Sequence, residues 1–144
     1  MKIRDLSLKE VYTASPTSTI SEISSMMKRH GVGIIPICEG SRVLGVITDR
    51  DIVIGCVASG MSLSNCQARE FMTASPICVS PDTDLEETAR VMGREQVHRL
   101  CITEGDNLVG MFSLGDLASS LKNDSLLAET VRKIYTPTKI GVPA

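Results

Sequence analysis

Two short runs in this 144-residue chain set a hydroxyl three residues ahead of a carboxylate: Thr48 with Asp51, and Ser113 with Asp116. An ionised carboxylate accepts hydrogen bonds through two oxygens, which suits a vicinal diol. A hydroxyl at a strand end, beside the first amides of a helix, can hold an anion such as phosphate. The same pattern caps a helix, and capping and binding can coexist on one turn. Basic groups stand near both runs. His98 and Arg99 precede Ser113 and offer an imidazole donor tunable near neutral pH and a forked guanidinium. Gly33 and Ile34 precede Thr48 and supply no charge, and Arg50 follows it closely. The plainer reading of His98 and Arg99 is a solvated edge or an intermodule salt link. Lys28-Arg29-His30 suits the negative end of a helix dipole.

These residues do not form a catalytic set. Gly110-Met111-Phe112-Ser113 is not a nucleophile elbow. Ser113 and Asp116 share one turn, poor geometry for an acid that must orient His98 from behind. There is no Walker lysine, and Gly31-Val32-Gly33 lacks the third glycine of a dinucleotide loop. The expectation is a protein that is not an enzyme, with no catalytic residues and no bound cofactor. Cysteines stand at 38, 56, 66, 78 and 101 with no C-x-x-C, which fits reduced thiols packed as small core residues. Cysteines distant in sequence can still meet as a disulfide or metal site. Neither His30 nor His98 is spaced near a cysteine, so no metal site is expected.

Aromatics make up 3% of the chain and Trp is absent, so the core must come from Ile, Val, Leu and Met, with few flat faces to stack bases. A net charge of −2 gives no basic footprint for nucleic acid. No apolar run approaches the ~18 residues of a membrane span. Met1-Lys2-Ile3-Arg4-Asp5-Leu6 lacks the apolar stretch of a secretory signal, so a cytoplasmic protein is expected.

The elements that must position these residues occur twice. An offset of 65 positions pairs Gly45 with Gly110, Asp51 with Asp116, Arg4 with Arg69, Met27 with Met92, and Glu39-Gly40 with Glu104-Gly105. Internal duplication of this kind takes precedence over any other reading of the fold. Each copy runs strand, helix, strand, strand, helix. The first helices span Thr19 to about His30 and Asp84 to about Glu95. Each opens with a capping-box pattern, Thr19/Glu22 and Asp84/Glu87. Strands follow at Ile34–Cys38 and Val43–Thr48, and at Arg99–Thr103 and Leu108–Ser113, with second helices near Arg50 and Gly115. The expected organisation is repeat 1 over 1–60 with a linker at 59–65, repeat 2 over 66–122, and a C-terminal helix and tail over 123–144. One ~60-residue copy buries a marginal fraction of its surface, so the copies are expected to pack sheet against sheet with helices outside, in pseudo-twofold α+β fashion. Leu127, Val131 and Ile134 give the C-terminal helix an apolar face, suited to its own module or to a partner groove.

Gly45-Val46-Ile47-Thr48-Asp49-Arg50-Asp51 and Gly110-Met111-Phe112-Ser113-Leu114-Gly115-Asp116 resemble the G-h-h-[TS]-x-x-D signature of CBS domains. Val79-Ser80-Pro81-Asp82 resembles its upstream pattern, echoed at Ser15-Pro16-Thr17. The resemblance runs from Lys2 to about Leu121, and the chain is similar to small stand-alone bacterial CBS proteins, including the hypoxic-response type. It implies a paired module with two clefts that bind AMP, ADP or ATP, less readily NAD or S-adenosylmethionine, and that associates as a homodimer. Val97-His98-Arg99-Leu100 resembles a phosphate-facing strand of energy-sensing members. The implied stronger cleft holds Ser80, His98, Arg99, Ser113 and Asp116, and the weaker one Ser15, Thr48, Arg50 and Asp51. The resemblance also admits a ligand-independent stress or dormancy protein, or a structural dimer that docks an unidentified protein target.

Overall fold

The computed structural model describes residues 1–137. The chain condenses into two compact units, one holding residues 11–76 with 106–108, the other residues 1–10, 77–105 and, of the described residues, 109–137. Each unit therefore takes the leading segment of the other sequence copy. The backbone repeats the offset of 65 in doing so: Arg69 N–H donates to Pro16 O at 3.0 Å in one unit and Arg4 N–H to Pro81 O at 2.8 Å in the other.

In the unit built on the first copy, extended Thr19 caps α1 (Ile20–His30). Its Oγ1 accepts from Glu22 N–H and the Glu22 carboxylate accepts from Thr19 N–H, both at 3.1 Å. α1 buries Ile20, Ile23 and Met27, and Gly31 ends it in the left-handed region at φ +64. β1 (Ile34–Glu39) and β2 (Arg42–Thr48) form an antiparallel hairpin. α2 (Asp49–Asp51) is a single turn that widens into a π-helix at Ile52–Val57, in place of the uniform helix expected near Arg50. α3 (Ala68–Phe71) follows the expected linker, and β3 (Thr73–Ala74) pairs with β2 opposite Gly45 and Val46. A Cβ on Gly45 would come within 2.6 Å of Thr73 O, so the signature glycine is required by close backbone approach. Ile20, Ile23, Ile35, Ile37, Ile47 and Cys56 form this unit's core.

In the other unit β4 (Cys78–Val79) leads to α4 (Leu85–Glu95). The Asp84 side chain makes no cap bond, so the expected second capping box does not form. Leu85 N–H instead donates to Met1 O at 3.0 Å, and Thr88 Oγ1 donates to Asp84 O at 2.9 Å. β5 (Arg99–Glu104) lies parallel to β4, with Cys78 opposite Cys101. β6 (Asn107–Ser113) lies beside β5 in the sheet, its first residue Asn107 also pairing antiparallel with Arg42 of β2, and α5 (Leu114–Ser120) begins at its end. α6 (Asp124–Tyr135) is the helix that the Leu127/Ile134 pattern predicts, and its side chains lie close against α4. Gly93 permits that approach, since a Cβ there would meet Lys133 Cδ at 3.3 Å. Residues 138–144, the expected tail, lie outside the described residues. Phe112, Leu85, Met92, Leu100, Leu117 and Ile134 are core residues here. The fold is thus α+β, with the helix-strand-strand-helix succession present twice; the leading strand is the two-residue β4 in the second copy and only an isolated bridge at Ala14 in the first.

Candidate functional site

Each hydroxyl–carboxylate pair sits where a hairpin's second strand becomes a helix. Thr48 Oγ1 accepts from Asp51 N–H at 3.1 Å, and Asp51 Oδ2 accepts from Thr48 N–H at 2.9 Å. Ser113 and Asp116 repeat this at 3.1 and 2.8 Å, and Ser113 Oγ also donates to Asp116 Oδ2 at 2.9 Å. The capping role is therefore real, and it satisfies amides that the helix itself leaves without acceptors. Both carboxylates engage the cap through Oδ2. Among the described residues no donor is assigned to Oδ1 of either. Both aspartates are half-buried, so the second oxygen sits on a fixed side chain rather than a mobile one.

The start of the preceding strand is tied to each turn by one backbone bond. Leu114 N–H donates to His98 O at 2.8 Å, and Asp49 N–H donates to Gly33 O at 3.0 Å. This brings His98, Ser113 and Asp116 together in one unit, and Gly33, Thr48 and Asp51 together in the other. Arg99, the next residue, opens β5 and is half-buried. The His98 ring stacks toward Tyr135, with centroids 6.3 Å apart and planes 20° apart. Arg50 is exposed beside Thr48.

Ser80 and Ser15 do not join these clusters. β4 runs parallel to β5, with Val79 opposite Ile102. Continuing that register sets Ser80 beside Thr103, five residues beyond His98 and roughly 16 Å along the strand. Ser80 Oγ accepts from Asp82 N–H at 3.1 Å, as part of the turn into α4. Ser15 follows Ala14, which bridges Ile37 in the same parallel sense, and its hydroxyl lies 3.1 Å from Thr17 Oγ1 and 3.2 Å from Ser18 Oγ. Both serines build turns. Direction of strand pairing decides this, and no local pattern encodes it.

Two further residues, Asp49 and Tyr135, touch the clusters, and Gln96, close to His98 in sequence, ties the end of α6 in place. The Asp49 carboxylate lies against Gly33, where a Cβ would be 2.9 Å from Oδ2. Tyr135 reaches His98 from α6, and Gln96, in the left-handed region at φ 54, donates from Nε2 to Lys133 O and Thr136 O at 2.9 and 2.7 Å. Asp49 was in plain view inside the signature string; Tyr135 and Gln96 carry no local signal. A groove of about 520 Å³ beside α1, lined by residues that include Glu22, Arg29 and Ser64, contains none of the candidate residues.

Comparison with known proteins decides the family. The CBS domain profile matches residues 3–56 and 68–123. The chain belongs to the CBS-domain family. Among CBS relatives, the CBS domain-containing protein YhcV of Bacillus subtilis is 37% identical over 124 residues, 85% of this chain and 88% of that protein. Hypoxic response protein 1 of Mycobacterium tuberculosis is 30% identical over 139 residues, 96% of each chain. A crystal structure of Hypoxic Response Protein I with two coordinated zinc ions superposes with a TM-score of 0.75 at 30% identity, over 84% of this chain and 99% of that one. In this CBS protein, no group of three or more His, Cys, Asp or Glu among the described residues is placed to hold a metal ion. A CBS domain protein from Pyrobaculum aerophilum complexed with AMP has a TM-score of 0.76 at 22% identity, over 91% and 98% of the two chains, a likeness of fold. No helix among the described residues of this CBS protein is long and apolar enough to cross a membrane.

Proposed function

We propose that this CBS protein is a regulatory module without catalytic activity that binds adenosine nucleotides reversibly, and that occupancy alters its conformation or its homodimer packing. The observation that carries this reading is the duplicated turn. Asp51 and Asp116 each cap through one oxygen, which leaves the other for a ribose diol. Thr48 and Ser113 supply the accompanying hydroxyls, while Arg99 adds positive charge and His98 an imidazole beside one turn, and Arg50 adds positive charge beside the other. The AMP held by the Pyrobaculum aerophilum protein supports an adenosine ligand. We place the activity in the cytoplasm, where adenosine nucleotides are abundant and thiols stay reduced. Ligand-stripped protein titrated calorimetrically with AMP, ADP, ATP, NAD and S-adenosylmethionine tests it. Saturable heats with the adenine mononucleotides are expected; silence across the panel refutes the reading.

A second reading keeps the fold and drops the ligand: a stress or dormancy protein acting as a structural dimer or a docking subunit for a protein target. Val53, Ile54 and Val57 of the π-helix, 53, 56 and 54% exposed, favour it, because large apolar side chains gathered on one helix are characteristic of contact surfaces. Sedimentation of the apo protein distinguishes the two readings: a tight dimer indifferent to every nucleotide supports this one.

A further inference from the structure

Two of the five cysteines stand side by side on neighbouring strands. β4 runs parallel to β5 with Cys78 opposite Cys101, and Cys101 N–H donates to Ile77 O at 3.0 Å. Residues in register on adjacent strands point to the same face, with backbones roughly 4.8 Å apart. That spacing lies inside the window of roughly 4.4–6.8 Å between Cα atoms that a disulfide spans. The side chains meet as the register requires. The Cys78 sulfur is hydrogen-bonded by Cys101 and by Thr103, which strand alternation sets on the same face of β5 as Cys101. Their access differs, since Cys78 is exposed and Cys101 is 1% exposed. An oxidant arriving from solvent therefore meets Cys78 first, with Cys101 in reach behind it as the second thiol. The other cysteines do not combine exposure with proximity. Cys56 and Cys66 also share a thiol–thiol hydrogen bond, but they lie in the other unit's core at 0 and 5% exposure, and Cys38 is buried there too.

We propose that Cys78 and Cys101 form a redox modification site, a dithiol that small-molecule disulfides convert reversibly into an intrachain disulfide. The Cys78 thiolate attacks one sulfur of the small disulfide, which forms a mixed disulfide and releases the first small thiolate. The Cys101 thiolate then attacks the Cys78 sulfur, the protein S–S bond forms, and the second small thiolate leaves. The two protons lost by the protein thiols go to the two departing thiolates. Two protein thiols are thus oxidised while one small disulfide is reduced to two thiols. Desolvation of its sulfur pushes the Cys78 thiol up, against the hydrogen bonds from Thr103 and Cys101 that stabilise its thiolate. Exchange therefore runs over roughly minutes to hours rather than seconds. What the bond changes is the hold on β4. This strand of two residues leads through the Ser80 turn into α4, and the disulfide closes the loop that carries α4 between β4 and β5.

The test incubates the reduced full chain with oxidised glutathione and maps its cysteines by mass spectrometry after digestion without reductant. A linked Cys78–Cys101 peptide is expected, lost again on adding dithiothreitol, with Cys38, Cys56 and Cys66 still open to alkylation once the chain is unfolded. The oxidised protein is expected to melt about 5–10 °C higher, because the bond restricts the unfolded loop. Cys101→Ala removes the second thiol and is expected to retain one glutathione per chain on Cys78. Cys78→Ser changes an exposed residue, leaves the core intact and is expected to form neither product. Should Cys101→Ala fail to fold, the unsubstituted protein and Cys78→Ser decide the matter. The proposal is overturned if Cys78 and Cys101 stay reduced, if glutathione remains on Cys78 in the unsubstituted protein, or if Cys78 links two chains instead. It is equally overturned if Cys56 and Cys66 become linked as fast as Cys78 and Cys101.

Discussion

Replacing Asp116 by Asn separates the two tasks of that carboxylate. Its Oδ2 accepts from Ser113 N–H at 2.8 Å and from Ser113 Oγ at 2.9 Å, and both bonds can be made by an amide oxygen. The cap should therefore survive, with a stability loss below about 1 kcal/mol, the lower part of the range for N-cap changes. The other atom behaves differently. Asn puts an NH2 donor where Oδ1 offers an acceptor to a ligand diol, and it removes the charge. One charge-assisted hydrogen bond is worth about 1.5–3 kcal/mol, so AMP affinity at this site should fall roughly 10- to 150-fold. Thermal unfolding reads the first quantity and calorimetry with AMP the second. The reasoning fails if Asp116→Asn binds AMP within about threefold of the original protein. It fails equally if the variant loses several kcal/mol of stability, since the turn would then be a structural element whose binding role cannot be separated.

Further substitutions probe the scaffold. Gly45→Ala should cost about 2 kcal/mol or more in denaturant unfolding, because the new Cβ meets a backbone carbonyl at 2.6 Å; Gly110→Ala should cost less, because it meets the side-chain ends of Ile102 and Leu8 at 3.3 Å. Equal costs would refute the geometric distinction. Arg4 Nε lies 2.7 Å from Asp82 Oδ1, and the hydrogen bond from Arg4 holds the Asp82 carboxyl below its usual range. A lowered folded-state value means this stabilising contribution is present above about pH 4 and is lost as pH falls through the folded value, so Arg4→Met should flatten that part of the stability–pH profile. Gln96→Ala removes both bonds to the end of α6 and should speed hydrogen exchange of the amides near Thr136 while leaving those of β1 unchanged.

Much of the architecture is legible without coordinates, for a physical reason. Helix periodicity, a capping box at Thr19/Glu22 and a left-handed glycine at position 31 are local, and a helix that satisfies its own backbone follows local chemistry. The hairpins were equally readable, since Gly40 and Gly105 turn at φ +63 and +61 where the chain must reverse. Local reading falters where a distant segment competes. Asp84 makes no side-chain cap although its string is a good capping pattern, and Gln96 takes a left-handed conformation while bonding across to α6.

By itself the amino-acid sequence determined the duplication, the order of elements, and the two turns in which Thr48 or Ser113 faces an aspartate three residues on, because each depends on interactions within a few residues. Tertiary structure alone decided which side chains share a site. Parallel pairing of β4 with β5 carries Ser80 away from His98, and a glycine without a side chain lets Asp49 occupy the corresponding place in the other unit. Contacts of that kind depend on strand direction and on the space a neighbour leaves empty, and neither property resides in any short stretch of residues.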